Sequence, residues 1–461
     1  MTKESGNTWL FFAKAALVAV VLAVFYAGQI LFYAETRFYF WGNGIILLLY
    51  AVNLLFTCRI YRSMHFGSVD RYESIISWIL CLVITNGLKY LILSLLNDGL
   101  LHFMGFLIVS AAQIVLVIPM VFLIDKLYYY LHPAQKAIII YGNADKAQYY
   151  SKIINAHRKK FKIRRTLSQT EPVSLLLGYI EDAETVFFMD VEEKTKDQLL
   201  EYCYRNEKCV YILPSFSGIL LNTADISWIS NTPMFLPKTP EIESVSLFAK
   251  RCMDITVSLL AIILLSWLML IAWVLVRTGD RGPAIYKQSR VTKGGKTFTL
   301  YKFRSMRTDA EADGIARLSS HGDDRITSVG KFIRKTRIDE LPQLFNVLFG
   351  SMSLVGPRPE RPEIAKQYEE SFPNFSLRTK VKAGLTGYAQ IYGKYNTAPD
   401  EKLFLDIMYI GTFSIWQDVK LMLQTLKVVF MPSSSEGIAK DATTALLDNS
   451  NSEKETKLRE E

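Results

Sequence analysis

The stretch "ITVSLLAIILLSWLMLIAWVLV", residues 255–276, is a run of 22 uncharged and mostly apolar residues in a chain of 461. It is longer than the ~20 residues that a helix needs to cross a bilayer. Basic residues flank it on both sides, namely Lys250 and Arg251 before it and Arg277 and Arg281 after it. A spanning helix would leave one of these clusters outside the cytoplasm, against the positive-inside rule. The pattern therefore predicts a re-entrant helix over 248–277 that breaks at the polar Ser266 and returns.

Four more apolar runs lie upstream, and each approaches or exceeds the length of a membrane-spanning helix. They cover Trp9–Ala34, Tyr39–Cys58, Ile75–Leu96 and Leu101–Ile124. Basic residues follow the second and fourth runs, whereas the turns after the first and third carry little positive charge. Residues 1–134 are therefore predicted to form a four-helix transmembrane bundle whose two ends face the cytoplasm.

The composition favours anionic partners. Half of the residues are hydrophobic, the mean hydropathy is +0.17 and the formal net charge is +9. This balance suits lipid headgroups and phosphorylated substrates. The sequence lacks aromatic-interleaved basic patches, so no nucleic-acid partner is expected. The five cysteines and five histidines have neither zinc nor disulfide spacing, which fits reduced domains that face the cytoplasm.

Strand and helix patterns alternate over residues 135–240. "AIIIYGNADKAQYYSKIINAHRKK" predicts a buried strand, a glycine turn and an amphipathic helix, while "TVFFMD" and "CVYILP" predict further strands. This alternation predicts a Rossmann-like βαβ domain on the cytoplasmic side. Its turn contains Gly142 alone, where a dinucleotide fingerprint needs further glycines. A tight strand–helix turn is therefore favoured over a nucleotide site.

Downstream, "AIYKQSRV" and "TFTLYKF" flank "TKGGK" and predict a hairpin with a Gly-Gly turn. In the segment that follows, "FIRKTRIDELPQLFNVL", residues 332–348, places Asp339 beside Glu340. Two interpretations of this pair are open. Acids favour the first turn of a helix, which Pro342 would mark. Alternatively, one carboxylate attacks a phosphorus atom while nearby basic residues hold phosphate oxygens.

Five motifs, in this order, resemble those of a known family. "KRCMDI", "YKFRSM", "RKTRIDELPQLFNVL", "SMSLVGPRPE" and "AGLTGYAQIYGK" are similar to motifs of the bacterial sugar transferases, the monotopic polyprenyl-phosphate sugar-1-phosphate transferases. The resemblance covers about Leu247–Met431 and implies a catalytic α/β domain over residues 245–431, with a re-entrant helix and interfacial amphipathic helices. With the membrane bundle and the Rossmann-like domain in front, the chain resembles the large subgroup, which is similar to undecaprenyl-phosphate glucose or galactose phosphotransferases.

The resemblance also implies a reaction. Sugar-1-phosphate passes from a nucleotide-diphosphate sugar, with UDP-glucose or UDP-galactose expected, to undecaprenyl phosphate, and UMP is released by way of a phosphosugar-aspartate intermediate. This is the first membrane step of exopolysaccharide, capsule or O-antigen synthesis. The implied location is the bacterial inner (cytoplasmic) membrane, with the catalytic domain in the cytoplasm. Nucleotide sugar, polyprenyl phosphate and the lipid bilayer are the implied partners, and a homo-oligomer is left open.

The same motifs imply roles for individual residues. Asp339 matches the family's nucleophile and Glu340 its partner in the dyad. Magnesium is the implied ion, held by Asp339 or Glu340, and the choice between them stays open. The phosphate- or substrate-binding candidates are Arg334, Arg358, Lys302, Arg304 and Lys394. The candidates for the membrane and the polyprenyl phosphate are Lys250, Arg251, Asp254 and Ser266.

Two acids have alternative interpretations. Asp254 is expected to be structural, paired with Arg251, or to lie at the polyprenyl-phosphate headgroup. Asp406 in "FLDIMY" matches a family position, and it is either a pairing acid or part of the site. Residues 432–461 are polar and are predicted to be disordered.

Three positions depart from the family pattern. Trp267 follows Ser266 where the family has proline, so the predicted break rests on the serine and its packing. The segment from Ala383 to Gly387 begins with alanine in place of proline, and Lys394 replaces an arginine fork with a point charge. The donor preference can therefore differ from that of typical members. A rival hypothesis is a membrane-tethered nucleotide-binding sensor or scaffold, whose basic segment only holds anionic lipid.

Overall fold

The structure is a computed structural model, and it describes residues 3–33, 41–67, 69–97, 99–237, 244–280, 282–308, 310, 323, 325–393 and 399–431. Its contacts divide the chain into two compact units, Met1–Ser215 and Phe216–Glu461. The predicted disordered tail, residues 432–461, and the candidate Lys394 lie outside the described residues.

Four long apolar helices begin the first unit. They are α1 (Lys3–Phe32), α2 (Gly42–Tyr61), α3 (Arg71–Leu96) and α4 (Phe103–Leu131). All four are long and apolar enough to cross a membrane, as the sequence predicts. Buried polar groups between them are paired: Asn86 Nδ2 donates to Gln113 Oε1 at 2.7 Å, and the Tyr50 hydroxyl donates to Asn86 Oδ1 at 2.8 Å. Such pairing offsets the cost of burying polar groups away from water.

A parallel sheet with intervening helices completes the first unit. Its elements are β1 (Gln135–Tyr141), α5 (Ala144–Ala156), β2 (Phe161–Ser168), α6 (Val173–Glu181), β3 (Thr185–Met189), α7 (Glu193–Arg205) and β4 (Cys209–Ile212). The strand order is β2-β1-β3-β4, and all three pairings are parallel. A Cβ on Gly142 would lie 2.1 Å from the Asp190 carbonyl oxygen, so close packing requires this glycine. The predicted βαβ pattern is present, and Gly142 has a packing role.

The second unit begins earlier than the sequence suggests. Ile219 of α8 (Phe216–Asn222) is buried with Ile364 and Ile407, which belong to the second unit. An antiparallel hairpin follows, made of β5 (Asp225–Ile229) and β6 (Thr232–Leu236). The structure therefore divides near residue 215, whereas the sequence placed the end of the Rossmann-like domain at 240.

The remainder of the second unit mixes helices with short strands. The elements are α9 (Ser244–Asp280), β7 (Ile285–Val291), β8 (Thr297–Phe303), α10 (Ser328–Lys335), α11 (Gln343–Phe349), β9 (Ser353–Val355), α12 (Pro362–Ser371), β10 (Gly384–Thr386), α13 (Tyr388–Ile391), α14 (Pro399–Gly411) and α15 (Ile415–Val429). The predicted hairpin is present as the antiparallel pair β7–β8. Its Gly294 and Gly295 have φ values of 69° and 74°, which glycine adopts without steric cost.

Helix α9 is one continuous helix, so Ser266 does not interrupt it. The Ser266 hydroxyl donates to the Ile263 carbonyl at 2.9 Å, within the same helical turn. Because Trp267 replaces proline, the backbone N–H that proline would lack is still there for the helix. The predicted interruption at Ser266 is therefore not observed. The middle of α9 is largely exposed, and α9 is the fifth helix among the described residues that is long and apolar enough to span a membrane.

Both ends of α9 pack against the second unit. Near its start, Lys250 Nζ donates to the Val355 carbonyl at 3.0 Å. Near its end, Ala272 and Val276 are buried in a cluster with Phe303 and Ile333. One unit thus holds the helix on both sides of its exposed middle.

Candidate active site

Asp339 and Glu340 lie in a 3-10 turn, Ile338–Glu340, immediately before α11. Arg337, which precedes the turn, has a φ of 58°, in the left-handed region that non-glycine residues rarely adopt. Such strain is concentrated at functional sites. The helix-start interpretation is therefore correct for the backbone, and the side chains decide whether the turn also carries chemistry.

Three cationic side chains surround the Glu340 carboxylate. Arg358 Nη2 donates to Oε1 at 2.8 Å, while Arg337 Nη1 and Lys302 Nζ lie 3.6 Å and 3.8 Å from the same oxygen. Burial alone would raise the pKa of Glu340, but the charges of Arg358, Lys302 and Arg337 outweigh it and hold the pKa well below its usual value. Glu340 is therefore an anion at neutral pH that holds these cations together.

Asp339 has the opposite environment. Its side chain is buried, and within the described part of the chain its Oδ1 has no hydrogen-bond partner. Burial, reinforced by the charge of Glu340, raises the pKa of Asp339 to about 6 against the lowering effect of Lys302, Arg334 and Arg337. At neutral pH this carboxyl group is mostly ionised and desolvated, and one of its oxygens accepts no hydrogen bond from the described residues. These are the properties of an activated nucleophile.

The structure brings three of the predicted phosphate-binding residues to the dyad. Arg358 and Lys302 contact Glu340, and Arg334, in the last turn of α10, acts electrostatically on Asp339. Burial lowers the pKa of Lys302 to about 8, although Glu340 acts in the opposite direction. The resulting cluster places cations beside a carboxylate oxygen that has no hydrogen-bond partner among the described residues, which suits a diphosphate ligand.

A second layer of charged residues supports the loop that carries Arg358. Arg378 Nη2 donates to the Arg358 carbonyl at 2.9 Å and lies 2.7 Å from Asp406 Oδ2. Arg378 Nη1 also lies 3.6 Å from Glu360, whose other oxygen is 3.9 Å from Arg290. Asp406 is thus a pairing acid, and burial raises its pKa to about 6 despite Arg378. Sequence reasoning missed the other three residues, because pairings between distant segments leave no local pattern.

The basic pair at the start of α9 is structural. Lys250 forms a buried ion pair with Asp418 of α15, in addition to its hydrogen bond to the Val355 carbonyl. Arg251 donates to the last carbonyls of α11, those of Val347 and Leu348, at 2.7 Å each. A cation at a helix C-terminus satisfies carbonyls that the helix cannot pair and complements its dipole.

Asp254 does not pair with Arg251 as the sequence suggested. Its Oδ1 accepts from the Leu354 backbone N–H at 2.9 Å and from the Ser353 hydroxyl at 3.1 Å. The buried carboxylate therefore ties α9 to β9, and the structural interpretation holds with different partners.

The remaining described candidates are Arg304 and Ser266. Arg304 is buried next to a cavity of about 300 Å³ between α9 and α10. A Cβ on Gly282 would lie 1.9 Å from Arg304 Nη1, so the glycine makes room for the guanidinium. Ser266 is exposed in the middle of α9.

The carboxylates fit a magnesium ion only in part. No group of three or more His, Cys, Asp or Glu side chains suited to a metal occurs among the described residues. Glu340 is already neutralised by cations, whereas Asp339 Oδ1 accepts no hydrogen bond from the described residues. This arrangement fits an ion held by one carboxylate and by substrate phosphates, which is a common mode for Mg²⁺. It does not fit an ion enclosed by protein ligands alone.

Comparison with known proteins agrees with these motifs. The family profile described as "Bacterial sugar transferase" matches residues 245–432. A UDP-glucose:undecaprenyl-phosphate glucose-1-phosphate transferase of Caulobacter vibrioides is 37% identical over 182 residues, which are 38% of this chain and 68% of that protein. The chain belongs to the bacterial sugar transferase family.

Longer relatives match over about half of their length. A UDP-N-acetylgalactosamine-undecaprenyl-phosphate N-acetylgalactosaminephosphotransferase of Aeromonas hydrophila is 44% identical over 40% of this chain and 44% of its own. An undecaprenyl-phosphate galactose phosphotransferase of Salmonella typhimurium is 38% identical over 51% of this chain and 52% of its own. The residues matched by the family profile lie in the unit that contains the dyad.

Proposed function

We propose that this protein transfers sugar-1-phosphate from a nucleotide-diphosphate sugar to undecaprenyl phosphate at the cytoplasmic face of a bacterial inner membrane. The observation that carries the proposal is the contrast within the dyad: Glu340 is held by three cations, while Asp339 Oδ1 is buried without a partner among the described residues. A carboxylate in this state can attack phosphorus without a base to deprotonate it.

The proposed reaction has two steps. An Asp339 oxygen attacks the phosphorus that carries the sugar, a P–O bond to Asp339 forms, and the diphosphate bridge breaks to release nucleoside monophosphate. An oxygen of the polyprenyl phosphate then attacks the same phosphorus, the bond to Asp339 breaks, and the carboxylate is restored. Neither step needs a net proton transfer.

The cations around the dyad have distinct roles in this proposal. Arg358, Lys302 and Arg334 neutralise the donor diphosphate, since guanidinium and ammonium groups bind its oxygens best in a partly desolvated site. Glu340 keeps Arg358 and Lys302 in place. A magnesium ion, when bound by the donor phosphates and a dyad carboxylate, would add further neutralisation of developing charge.

The membrane arrangement supports the same proposal. We infer that α9 is re-entrant, bending within one continuous helix so that both ends lie on the cytoplasmic side, because Lys250 near one end and Val276 near the other both pack against other elements of the second unit. A dyad in that unit can then meet a soluble donor and a lipid acceptor on one side of the membrane. The sensor hypothesis has weaker support, since the packing of Gly142 accounts for the turn after β1.

The test is a panel of nucleotide sugars offered with undecaprenyl phosphate to membranes that contain the protein. The names of the relatives make UDP-glucose, UDP-galactose and UDP-N-acetylgalactosamine the first donors to try. We expect nucleoside monophosphate to be released in step with a lipid-linked sugar diphosphate. Release of nucleoside diphosphate would instead indicate glycosyl transfer and contradict the proposal.

A further inference from the structure

The buried Arg304 comes two residues after Lys302, whose ammonium group lies 3.8 Å from the Glu340 carboxylate. Arg304 directly follows the last residue of β8, so its Cα lies about 6–7 Å from that of Lys302. Lys302 reaches Glu340, while Arg304 is only 7% exposed and lines a separate cavity. Lys302, in β8, thus contacts the dyad, whereas Arg304, just after β8, lines a cavity.

The cavity beside Arg304 has two chemically different walls. Its volume is about 300 Å³, at the lower end of the range for ligand sites. One wall belongs to the last turns of α9, and the other to the start of α10. The lining residues are Leu275, Val276, Gly279, Arg304, Thr327, Ser328 and Val329. The cavity therefore joins membrane-helix surface to a cationic and hydroxyl-bearing surface.

The polar wall suits a phosphate group. A guanidinium keeps its charge at any physiological pH and presents a fork of donors to phosphate oxygens. The first turn of a helix adds partial positive charge; Thr327 begins α10, where its hydroxyl accepts from the Gly330 N–H at 2.9 Å. Among the described residues, none of those that line the cavity is acidic. The electrostatics thus favour an anion.

The apolar wall favours an anion that carries a hydrocarbon chain. Leu275 and Val276 belong to the helix that is proposed to enter the membrane, so a hydrocarbon chain can continue from the cavity along α9. A free inorganic phosphate would gain nothing from this wall, whereas the phosphate of a polyprenol would gain the burial of its first isoprene unit.

We infer that this cavity binds the phosphate of the polyprenyl phosphate acceptor, with Arg304 as its main ligand and the end of α9 beside its hydrocarbon chain. The inference rests on the proposed function. In the second step, the phosphate held by Arg304 would direct an oxygen to the phosphorus on Asp339, and the P–O bond to Asp339 would break. The donor cations Arg334 and Arg358 would not be needed to hold the acceptor.

The two steps allow a separate test of each subsite. Purified full-length protein is first mixed with the UDP-sugar that it accepts, and the burst of UMP measures the first step. Undecaprenyl phosphate is then added below saturation, and formation of lipid-linked product measures the second. In Arg304→Lys and Arg304→Gln, we expect the burst to be kept and the second step to slow by about tenfold or more, since a charge-assisted fork is lost. Inorganic phosphate in place of the lipid should not discharge the intermediate of the unmodified protein.

Two controls make the result decisive. Lys287→Gln removes an exposed charge from the neighbouring strand and should leave both steps unchanged. Arg334→Lys should slow the first step, which is measured by the burst of UMP. Equal loss of both steps in both Arg304 variants, or no loss in the second step, would overturn the acceptor subsite, as would discharge by inorganic phosphate at the rate seen with the lipid. Absence of a burst in the unmodified protein would instead overturn the proposed function itself.

Discussion

Asp339 and Glu340 are neighbours in the chain, yet their carboxyl groups have opposite ionisation behaviour. Both are buried, which favours the neutral form. Around Glu340 this effect is outweighed by Arg358, Lys302 and Arg337, whereas Asp339 also has the negative charge of Glu340 beside it. One acid is therefore fixed as an anion with its cations, and the other keeps an oxygen free for chemistry.

The pKa values predict a bell-shaped pH dependence for the first step. Asp339 has a pKa of about 6, so acid below this value protonates the nucleophile and the rate of UMP release should fall about tenfold per pH unit. Lys302 has a pKa of about 8, so alkali above this value removes a cation from the donor site and the rate should fall again. The pH dependence should be measured on the burst of UMP in the absence of the lipid acceptor, because the acceptor phosphate itself titrates at about pH 6.

A variant that keeps the positive charge tests whether Lys302 causes the loss of rate at alkaline pH. Arginine keeps its charge above pH 8, so Lys302→Arg should move the alkaline limb to higher pH and leave the acid limb in place. An alkaline limb that stays near pH 8 in this variant would show that another group is responsible.

At the residue scale, the sequence identified the dyad and three of its cations but not their division of roles. Motif matching placed Arg334, Arg358 and Lys302 near phosphate, and the structure groups them around Asp339 and Glu340. Motif matching could not show that Glu340 is the acid that the cations contact, because these contacts depend on distances across the fold. Arg378 and Glu360 were missed for the same reason: each is unremarkable in its own segment.

At the scale of elements, the first turns of α9 anchor the site. Lys250 pairs with Asp418, whose other carboxylate oxygen accepts from the Tyr409 hydroxyl at 2.9 Å. Asp254 holds β9. The membrane helix is thus joined to α14, α15 and the strand that leads into the Arg358 loop.

This anchor predicts a coupled pair of variants. Lys250→Met leaves Asp418 buried without its cation, and Asp418→Leu leaves Lys250 without its anion; each should destabilise the unit by about 3–5 kcal/mol. The double variant removes both charges and should recover part of the loss. Melting temperatures in detergent measure the effect, and losses that simply add in the double variant would contradict the pairing.

The elements themselves were largely predictable, and the exception has a physical cause. The length of the apolar runs predicted the four bundle helices. The alternation of residues with a period of two predicted the β7–β8 hairpin, and the alternation of strand and helix patterns predicted the parallel sheet. Ser266 was expected to end a helical segment, but a serine keeps its backbone N–H, so the helical hydrogen bonds continue in α9. The sequence placed the end of the Rossmann-like domain at residue 240, whereas contacts divide the chain near residue 215, because α8 is buried by residues far along the chain.

At the scale of the whole molecule, the account requires both ends of α9 to face the cytoplasm. Val245 and Thr278 are exposed near the two ends of α9, and Leu100 is exposed in the turn after α3. In a background without native cysteines, Val245→Cys and Thr278→Cys should react with an impermeant maleimide only after the membrane is permeabilised. Leu100→Cys should react in intact spheroplasts. Labelling of Thr278→Cys in intact spheroplasts would show that α9 spans the membrane.

A truncation tests where the catalytic unit begins. Ile219 of α8 is buried against Tyr368 and Leu403, so a protein that starts at Phe216 retains this packing and one that starts at Val245 loses it. We expect the longer form to keep transfer activity in detergent and to melt at a higher temperature than the shorter form. Loss of all transfer in the longer form, while it remains folded, would favour a function that depends on the first unit.

The central claim is that Asp339 forms a covalent bond to the transferred phosphorus, and peptide mass spectrometry tests it most directly. The protein is incubated with an accepted nucleotide sugar and no lipid acceptor, then digested at low pH and analysed. The account predicts a sugar-phosphate adduct on Asp339 that disappears when undecaprenyl phosphate is added, and no adduct in Asp339→Asn. An adduct on another residue, or full transfer activity in Asp339→Asn, would contradict it.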